Sequence, residues 1–257
     1  MDLRLAGRTA LVTGGSKGIG KAVALALAEE GVNLHLAARD AVTLDTTRAE
    51  IGTRFPVNID SHPFDLAISK NVNALIEHCK DVDILINNAG AIPVGLISGV
   101  DEADWRAAWD LKVFGYTNMC RGMLRHMTTR RSGVIVNIIG NSGERLDAKY
   151  VAGSMGNASL MALTKALGSV SVDDNVRIVG VNPGRIATER MEKQLRRRAG
   201  IDFGNPERWP DYIASLPFGR AGRPEEVGHL VAFLVSDLAA YISGTVVTID
   251  GGAAMRA

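Results

Sequence analysis

A glycine-rich segment at residues 13–20, TGGSKGIG, has the residue types and the spacing that bind a pyrophosphate. Its glycines are spaced G-x3-G-x-G, which lets the backbone turn tightly and approach a ligand closely. An apolar run at residues 9–12 precedes the segment, and an amphipathic pattern at residues 21–30 follows it. We therefore predict a strand, a glycine turn and a helix, with the charge of a dinucleotide resting on the first N–H groups of that helix.

A cation follows the second apolar run, at residues 32–38, where the nucleotide ribose is expected. An acidic residue there would hydrogen-bond the ribose hydroxyls of NAD, whereas Arg39 accommodates the extra phosphate of NADP. Lys17 in the glycine turn supplies a second cation, and two cations facing a dianionic phosphate favour NADP(H). Asp40 would reach the ribose only if the strand ended one position later.

Apolar runs alternate with helical patterns along the whole chain. We predict strands at 9–12, 32–38, 54–59, 82–86, 133–139, 176–181 and 245–249, and helices at 21–30, 69–79, 101–127, 149–168 and 224–236. Residues 187–216 are irregular and highly charged, and we expect a mobile substrate lid there. The alternation predicts an α/β fold with a Rossmann-type, doubly wound parallel sheet, which binds ligands at the carboxyl ends of its strands.

Composition limits the other classes of function. The 257 residues are 46% hydrophobic and 22% charged without a break in composition, so we predict a single domain over residues 1–257. A formal charge of +1 gives no field to attract nucleic acid or anionic membrane. Arg4 and Arg8 interrupt the first apolar run, so we expect neither a signal peptide nor a membrane anchor, and a cytoplasmic location. Cys79 and Cys120 are isolated and the five histidines lack ligand spacing, which predicts reduced core thiols and no metal site.

Several separated segments together resemble the short-chain dehydrogenase/reductase family. They are TGGSKGIG at 13–20, Asp65, NNAG at 87–90, NPG at 182–184 with Thr188, ISGT at 242–245 and DGG at 250–252. The resemblance implies a Rossmann fold, a nicotinamide cofactor and a homotetramer or homodimer, the tetramer built partly through the helix that carries the active site. It also implies that the cofactor is held by Gly14, Ser16, Lys17, Gly18, Ile19, Gly20, Asp65, Leu66, Asn88, Ala89, Gly90, Pro183, Gly184, Ile186 and Thr188.

The chain departs from this family at its catalytic residues, which are a Ser, a Tyr, a Lys and an Asn. The sequence register places these at Gly140, Gly153, Asn157 and Asp110, so all four are missing. In the family the Tyr donates a proton while the Lys lowers its pKa, and a positioned general acid is typically worth about 10²–10⁴ in rate. Asn157 could still hydrogen-bond the ribose of the cofactor, but it cannot shift the pKa of a phenol.

Neighbouring residues offer three substitutes for the missing acid, and water is a fourth. Tyr150 shares a helical face with Gly153 if the helix begins early enough, but helical side chains lean toward the N-terminus, so its hydroxyl is expected to point away from Gly153. Ser142 could orient a carbonyl, and Asp110 could be a buried acid with a raised pKa or a polar brace. Glycine at 153 is expected to leave a space beside the nicotinamide for substrate or water.

The sequence thus favours an NADP(H)-dependent oxidoreductase that reduces a carbonyl or oxidises an alcohol of a small molecule, with non-standard proton donation. A dinucleotide-binding sensor or partner protein without chemistry is the alternative, and a lyase or isomerase that uses the cofactor structurally is a third. Arginines at 196–198 in the expected lid, with Arg145 and Arg185, favour an anionic substrate such as a carboxylate or an acyl thioester.

Overall fold

Seven strands form one sheet in the computed structural model, which describes residues 2–256. The strands are β1 (Thr9–Thr13), β2 (Asn33–Ala38), β3 (Ile59–Pro63), β4 (Ile84–Asn87), β5 (Gly133–Ile138), β6 (Val176–Pro183) and β7 (Val246–Ile249). All neighbouring strands are parallel, in the order β3-β2-β1-β4-β5-β6-β7. The prediction of a single α/β domain with a doubly wound, Rossmann-type parallel sheet is confirmed.

Helices cover both faces of the sheet. They are α1 (Gly18–Glu29), α2 (Ala41–Arg54), α3 (Ser69–His78), α4 (Glu102–Trp109), α5 (Gly115–Arg130), α6 (Val151–Val170), α7 (Glu189–Phe203), α8 (Asp211–Ala214) and α9 (Pro224–Val235). Helices α1, α2 and α9 share one hydrophobic core with the sheet, and α3 and α5 share a second core on the opposite face. Parallel sheets of this kind bind ligands at the carboxyl ends of their strands, between these two layers.

Strand β4 shows why the central strands are apolar throughout. All four of its residues are buried. Ile84 and Ile86 pack into the core beneath α1, whereas Leu85 packs into the core beneath α3. Because successive side chains of a strand point to opposite faces, a strand between two helical layers needs apolar residues at every position.

The third strand and the helix before it differ from the sequence prediction. Residues 54–59 are not a strand, because Arg54 is the last residue of α2, a helix that the apolar pattern did not reveal. Helix α2 begins at an N-cap aspartate, Asp40, whose carboxylate accepts a hydrogen bond from the Thr43 N–H at 2.7 Å. The strand therefore lies further along the chain, at β3, on the edge of the sheet.

The segment 187–216 is more regular than its composition suggests. Helix α7 fills half of it and begins at Thr188, whose hydroxyl accepts a hydrogen bond from the Met191 N–H at 3.2 Å. Met191, Leu195 and Ala199 form a buried stripe on α7 at helical spacing. The expectation of irregular structure is wrong because the surrounding charges hide this stripe in the sequence.

Across residues 2–256, no helix combines the length and the apolar character that crossing a membrane requires.

Candidate functional site

The turn between β1 and α1 requires glycine at three positions. Gly14 and Gly18 have φ angles of +65° and +54°, which L side chains rarely adopt. A β-carbon on Gly20 would lie 2.2 Å from the carbonyl oxygen of Gly14. The turn can therefore adopt this shape only with the G-x3-G-x-G spacing found in the sequence.

Asn88, directly after β4, holds this turn in shape. Its side-chain amide donates to the carbonyl oxygens of Thr13 at 3.0 Å and Gly14 at 3.2 Å. The backbone N–H groups of Asn88 and Ala89 both donate to the Thr13 hydroxyl, at 2.9 and 3.2 Å. These contacts tie the ends of β1 and β4 together, beside the position of the predicted dinucleotide.

The N-terminus of α1 fits an anionic group. Lys17 is its N-cap residue, with extended backbone angles, and its side chain makes no capping hydrogen bond. The first N–H groups of such a helix are available to a phosphate. Across the cleft, the methyl carbon of Thr188 lies 3.2 Å from the position that a β-carbon on Gly18 would occupy. The residues of the turn thus fit the pyrophosphate of a dinucleotide.

The residues after β2 and β3 face each other. Arg39 is exposed, and its guanidinium lies 3.9 Å from a carboxylate oxygen of Asp65. Asp40 does not point to the same place, because its carboxylate caps α2 through the N–H and the hydroxyl of Thr43. Leu66 is buried next to Asp65.

The remaining predicted cofactor residues also lie at this edge of the sheet. Ser16 and Ile19 belong to the glycine turn and the first turn of α1, Gly90 follows β4, Pro183 ends β6, and Gly184 and Ile186 follow it. Each predicted segment therefore follows the carboxyl end of a strand, where ligands of such sheets bind. Asn157 reaches the same edge from α6.

Asn157 fills the space beside Gly140, the position at which the sequence register places the family's serine. Gly140 has a φ angle of +125°, and a β-carbon there would lie 2.9 Å from the amide nitrogen of Asn157. That amide donates to the hydroxyl of Ser142 at 2.7 Å. The side-chain oxygen of Asn157 is buried and has no hydrogen-bond partner within residues 2–256. The structure thus pairs Ser142 with Asn157.

Tyr150 fills the space beside Gly153, the position at which the sequence register places the family's tyrosine. Its ring carbons Cε1 and Cζ lie 2.0 and 2.1 Å from the position that a β-carbon on Gly153 would occupy. Tyr150 is the N-cap of α6, with φ −143° and ψ 39°, so its side chain does not follow the lean of a helical residue. Two expectations are therefore wrong: the ring does not point away from Gly153, and Gly153 does not leave an open space.

The surroundings of Tyr150 oppose ionisation of its phenol. The ring packs against a buried cluster of Ile92, Ala108 and Ala152. Burial raises the pKa of Tyr150, and the nearby charge of Arg190 acts in the opposite direction. A cation beside a buried phenol favours the phenolate, as the missing lysine would do.

Two cations that the sequence analysis missed reach this region. The ammonium of Lys112 donates to the carbonyl oxygen of Ile139 at 2.6 Å, directly before Gly140. Burial, together with the charge of Arg190, lowers the pKa of Lys112 to about 7. The guanidinium of Arg190, on α7, donates to the carbonyl oxygens of Gly90 and Ile92.

These cations were missed for geometric reasons. The predicted continuous helix over 101–127 is interrupted by a π-helical turn at Asp110–Phe114, which alters the direction of each side chain. The glycine at 90 leaves room for Lys112, whose Cδ lies 2.8 Å from the position of a β-carbon there. The sequence signal for this approach is a lysine among the apolar residues Leu111, Val113 and Phe114.

Asp110 does not behave as predicted. The sequence suggested a buried acid, but the Asp110 side chain is exposed and lines a surface groove with Trp105, Trp109 and Phe114. The expectation of a buried acid is wrong, because at the start of the π-helical turn this side chain faces solvent.

Comparisons with known proteins agree with this geometry. A family model described as enoyl-(acyl carrier protein) reductase matches residues 14–254. The 3-oxoacyl-(acyl-carrier-protein) reductase FabG of Thermotoga maritima is 31% identical over 260 residues, covering 97% of this chain and 99% of the relative. The galactitol 2-dehydrogenase (L-tagatose-forming) of Cereibacter sphaeroides is 32% identical over 251 residues, covering 97% and 96%.

Solved structures show the same likeness. L-sorbose reductase from Gluconobacter frateurii, complexed with NADPH and L-sorbose, has a TM-score of 0.90 and 29% identity, with 98% of each chain covered. An NAD⁺-bound xylitol dehydrogenase has a TM-score of 0.90 and 25% identity, with 97% of this chain and 100% of that chain covered. With its glycine turn, its strand order and these full-length relatives, the chain belongs to the short-chain dehydrogenase/reductase family of oxidoreductases.

Proposed function

We propose that this chain is an NADP(H)-dependent oxidoreductase that reduces a carbonyl group, or oxidises an alcohol, of a small molecule. The names of its relatives support this reaction class, because they describe reductases and dehydrogenases of carbonyl and hydroxyl compounds. A bound nicotinamide would supply the hydride. The chain must then bind the cofactor, orient the substrate and provide the proton.

Residues at the carboxyl edge of the sheet would hold the cofactor. They are Gly14, Ser16, Lys17, Gly18, Ile19, Gly20, Arg39, Asp65, Leu66, Asn88, Ala89, Gly90, Asn157, Pro183, Gly184, Ile186 and Thr188. The exposed guanidinium of Arg39 supports a preference for NADP(H). The engagement of Asp40 in the cap of α2 supports it too, because a carboxylate held there does not compete for the ribose.

We propose Tyr150 as the proton donor. The observation that carries this proposal is the position of its ring, which occupies the space of a residue-153 side chain at the start of α6. Arg190 would stabilise the phenolate in place of the missing lysine. The buried ammonium of Lys112, which donates to the carbonyl oxygen of Ile139, would add to the positive charge of this region. Ser142, held by Asn157, would orient the substrate oxygen.

The test is single-turnover hydride transfer from NADPH that carries deuterium at the reactive carbon. The substrates are pooled aldehydes, ketones, quinones and acyl thioesters, and deuterated product is detected by mass. We expect product with the wild type and a rate about 10²–10⁴ lower with Tyr150→Phe, the typical contribution of a general acid. Tyr241→Phe is the matched control, because Tyr241 is fully exposed.

Unchanged product formation in Tyr150→Phe would remove Tyr150 from the mechanism and leave Ser142 or water as the donor.

The second candidate function, a dinucleotide-responsive sensor or partner protein, is favoured by the absence of the family's Ser, Tyr, Lys and Asn. Saturable NADPH binding without any deuterated product would support it.

We also propose an anionic substrate. Arg185 follows β6, and desolvation together with the charges of Arg198 and Arg145 lowers its pKa. Arg145 is partly engaged, since its guanidinium donates to the carbonyl oxygen of Ala253 at 3.0 Å. A carboxylate or an acyl thioester would relieve the repulsion between these cations. Preferential turnover of the anionic members of the pool would support this.

A further inference from the structure

Outside the cofactor cleft, the fold brings together two histidines and a cysteine. One nitrogen each of His35 and His62 and the sulfur of Cys79 all lie within 4.8 Å of one another. The His35 Nδ1 and His62 Nε2 atoms are 2.9 Å apart, and the Cys79 Sγ atom is 3.8 Å from His62 Nε2. Spacing along the chain does not reveal this cluster, because its members are 27 and 17 positions apart. The prediction of no metal site was based on spacing along the chain alone.

Strand pairing and one helix end create the cluster. His35 on β2 pairs with Asp60 on β3, and Ala37 pairs with His62. Because side chains alternate along a strand, His35, Asp60 and His62 share one face of the sheet. Helix α3 packs against this face and ends at Cys79, its C-cap residue. A carboxylate oxygen of Asp60 lies 3.7 Å from His35 Nδ1.

We propose that His35, His62 and Cys79 form a binding site for a zinc ion, and that the exposed carboxylate of Asp60 turns in to supply the fourth ligand. Two imidazoles, a thiolate and a carboxylate are all ligands that zinc takes in a tetrahedral site. Tetrahedral bonds of about 2.0–2.3 Å place the donor atoms roughly 3.3–3.7 Å apart. The sulfur-to-nitrogen distance of 3.8 Å is close to this range, and the two imidazoles at 2.9 Å must separate by a few tenths of an ångström.

The protonation states set how the site binds metal. Burial lowers the pKa of His35 and of His62, so both imidazoles are neutral at pH 7 and ready to coordinate. Burial, reinforced by the Asp60 charge, raises the pKa of the Cys79 thiol to about 12. Zinc must therefore displace one proton from sulfur as the Zn–S bond forms. The other titratable side chain against the cluster is His78, whose Nδ1 is 2.6 Å from the carbonyl oxygen of Ala74.

Metal at this position would join edge strand β3 to β2 and α3. His35 lies four residues before Arg39, and His62 lies three residues before Asp65. A bound ion would therefore restrict the motion of the two strand ends that carry Arg39 and Asp65. The proposal does not depend on the reaction that the cleft performs. It can be tested without a substrate.

The experiment is a titration of the chelator-treated full-length chain with Co²⁺, followed by competition with Zn²⁺. We expect thiolate-to-cobalt charge-transfer absorption, with visible bands typical of a tetrahedral site, at one ion per chain, and loss of both when Zn²⁺ is added. Between pH 6.5 and 8.5 the affinity should rise about tenfold per pH unit, because one proton is released. Zinc should also raise the melting temperature.

Variants at the ligands test the assignment. Cys79→Ser and His62→Gln should each weaken Co²⁺ binding by more than about 100-fold, beyond the effect typical of residues outside the ligand shell. Cys79→Ser should also remove the charge-transfer band. Cys120→Ser and His229→Gln are matched controls that should bind as the wild type does. NADPH binding and circular dichroism show whether each variant is folded.

Three outcomes would overturn the proposal. They are tetrahedral Co²⁺ absorption that persists in folded Cys79→Ser, an equal loss in Cys120→Ser, and an absence of Co²⁺ binding in the wild type. The last outcome would leave the His35–His62 contact as a hydrogen bond that serves packing alone.

Discussion

The charge of the Arg190 guanidinium acts on the pKa values of three buried side chains, Lys112, Tyr116 and Tyr150. Burial, together with the charge of Arg190, lowers the pKa of Lys112 to about 7. Burial raises the pKa of Tyr150 and of Tyr116, and the charge of Arg190 opposes that rise. A buried ammonium with a pKa of about 7 is charged below that pH and neutral above it. The positive charge that Lys112 carries beside Ile139 and Gly140 therefore changes within the physiological pH range.

This charge predicts a pH dependence for reduction. The rate should fall as the pH rises through about 7, because Lys112 then loses the proton that makes it a cation. Lys112→Met should lower the rate at pH 6 by about tenfold or more, since a neighbouring cation is worth one to three pKa units to an acid. The decline near pH 7 should also disappear. Single-turnover rates across pH measure both effects.

Lys165→Met is the control for this substitution. Lys165 is exposed on α6, so its removal should leave the pH profile unchanged. A decline near pH 7 that survives in Lys112→Met would assign it to another group.

A second prediction at the residue scale concerns the choice between NADPH and NADH. Arg39→Ala should weaken NADPH binding by about tenfold or more, the value of a charge-assisted hydrogen bond, and leave NADH binding unchanged. Asp40→Ala should lower the melting temperature through loss of the α2 cap but keep the preference for NADPH. Fluorescence titrations with both cofactors measure these effects. An equal loss of NADH affinity in Arg39→Ala would contradict the role of Arg39.

At the scale of elements, the start of α6 is fixed by the packing of one ring on one glycine. Tyr150 ends the loop that precedes the helix, and its N–H donates to the carbonyl oxygen of Asp147 at 2.9 Å. Its carbonyl oxygen accepts the Ser154 N–H at 2.9 Å, in the first turn. These bonds hold the ring over Gly153, so any side chain at 153 must displace the ring.

This packing predicts opposite effects of one substitution in two backgrounds. Gly153→Ala should destabilise the wild type by about 1–3 kcal/mol, because the added carbon overlaps the ring of Tyr150. In a Tyr150→Ala background the same change should stabilise by about 1 kcal/mol, the helix propensity gained over glycine. Urea unfolding of the four proteins measures the coupling. Additive effects would mean that the ring does not occupy this space.

The sequence predicted the local elements around the glycine turn better than the side-chain contacts near the start of α6. The glycine turn and the segment after β4 are local patterns, since a strand, a turn and a helix follow one another along the chain. Three separate features position the side chains near the start of α6. The π-helical turn carries Lys112, the capped helix α7 carries Arg190, and the non-helical N-cap of α6 is Tyr150. None of these has a period that a single sequence reveals. The edge strand β3 was misplaced for a related reason, because its polar face carries His62 and Asp60.

At the scale of the whole molecule, apolar surface remains exposed around α4 and α6. Trp105, Trp109 and Phe114 line the groove that contains Asp110, and Met155 on α6 is 50% exposed. The family resemblance implies an assembly through the helix that carries the active site. A homotetramer or homodimer that covers this surface stays a prediction.

Charge placed in the groove should oppose assembly. Phe114 is 53% exposed, and Phe114→Lys should shift the protein toward monomers in light scattering after size exclusion. Val42→Lys is the matched control, because Val42 is 77% exposed on α2. A wild type that is monomeric at all concentrations would contradict the prediction.

The conformation of Gly140 bears on attempts to redesign this enzyme. A φ angle of +125° and the amide of Asn157 both oppose a serine at 140, while the ring of Tyr150 opposes a tyrosine at 153. Each exchange toward the common family pattern would therefore be harmful when made alone. In stepwise laboratory evolution, each single exchange would lower the stability of the fold. Reaching the common arrangement would therefore require simultaneous replacement at 140, 150, 153 and 157.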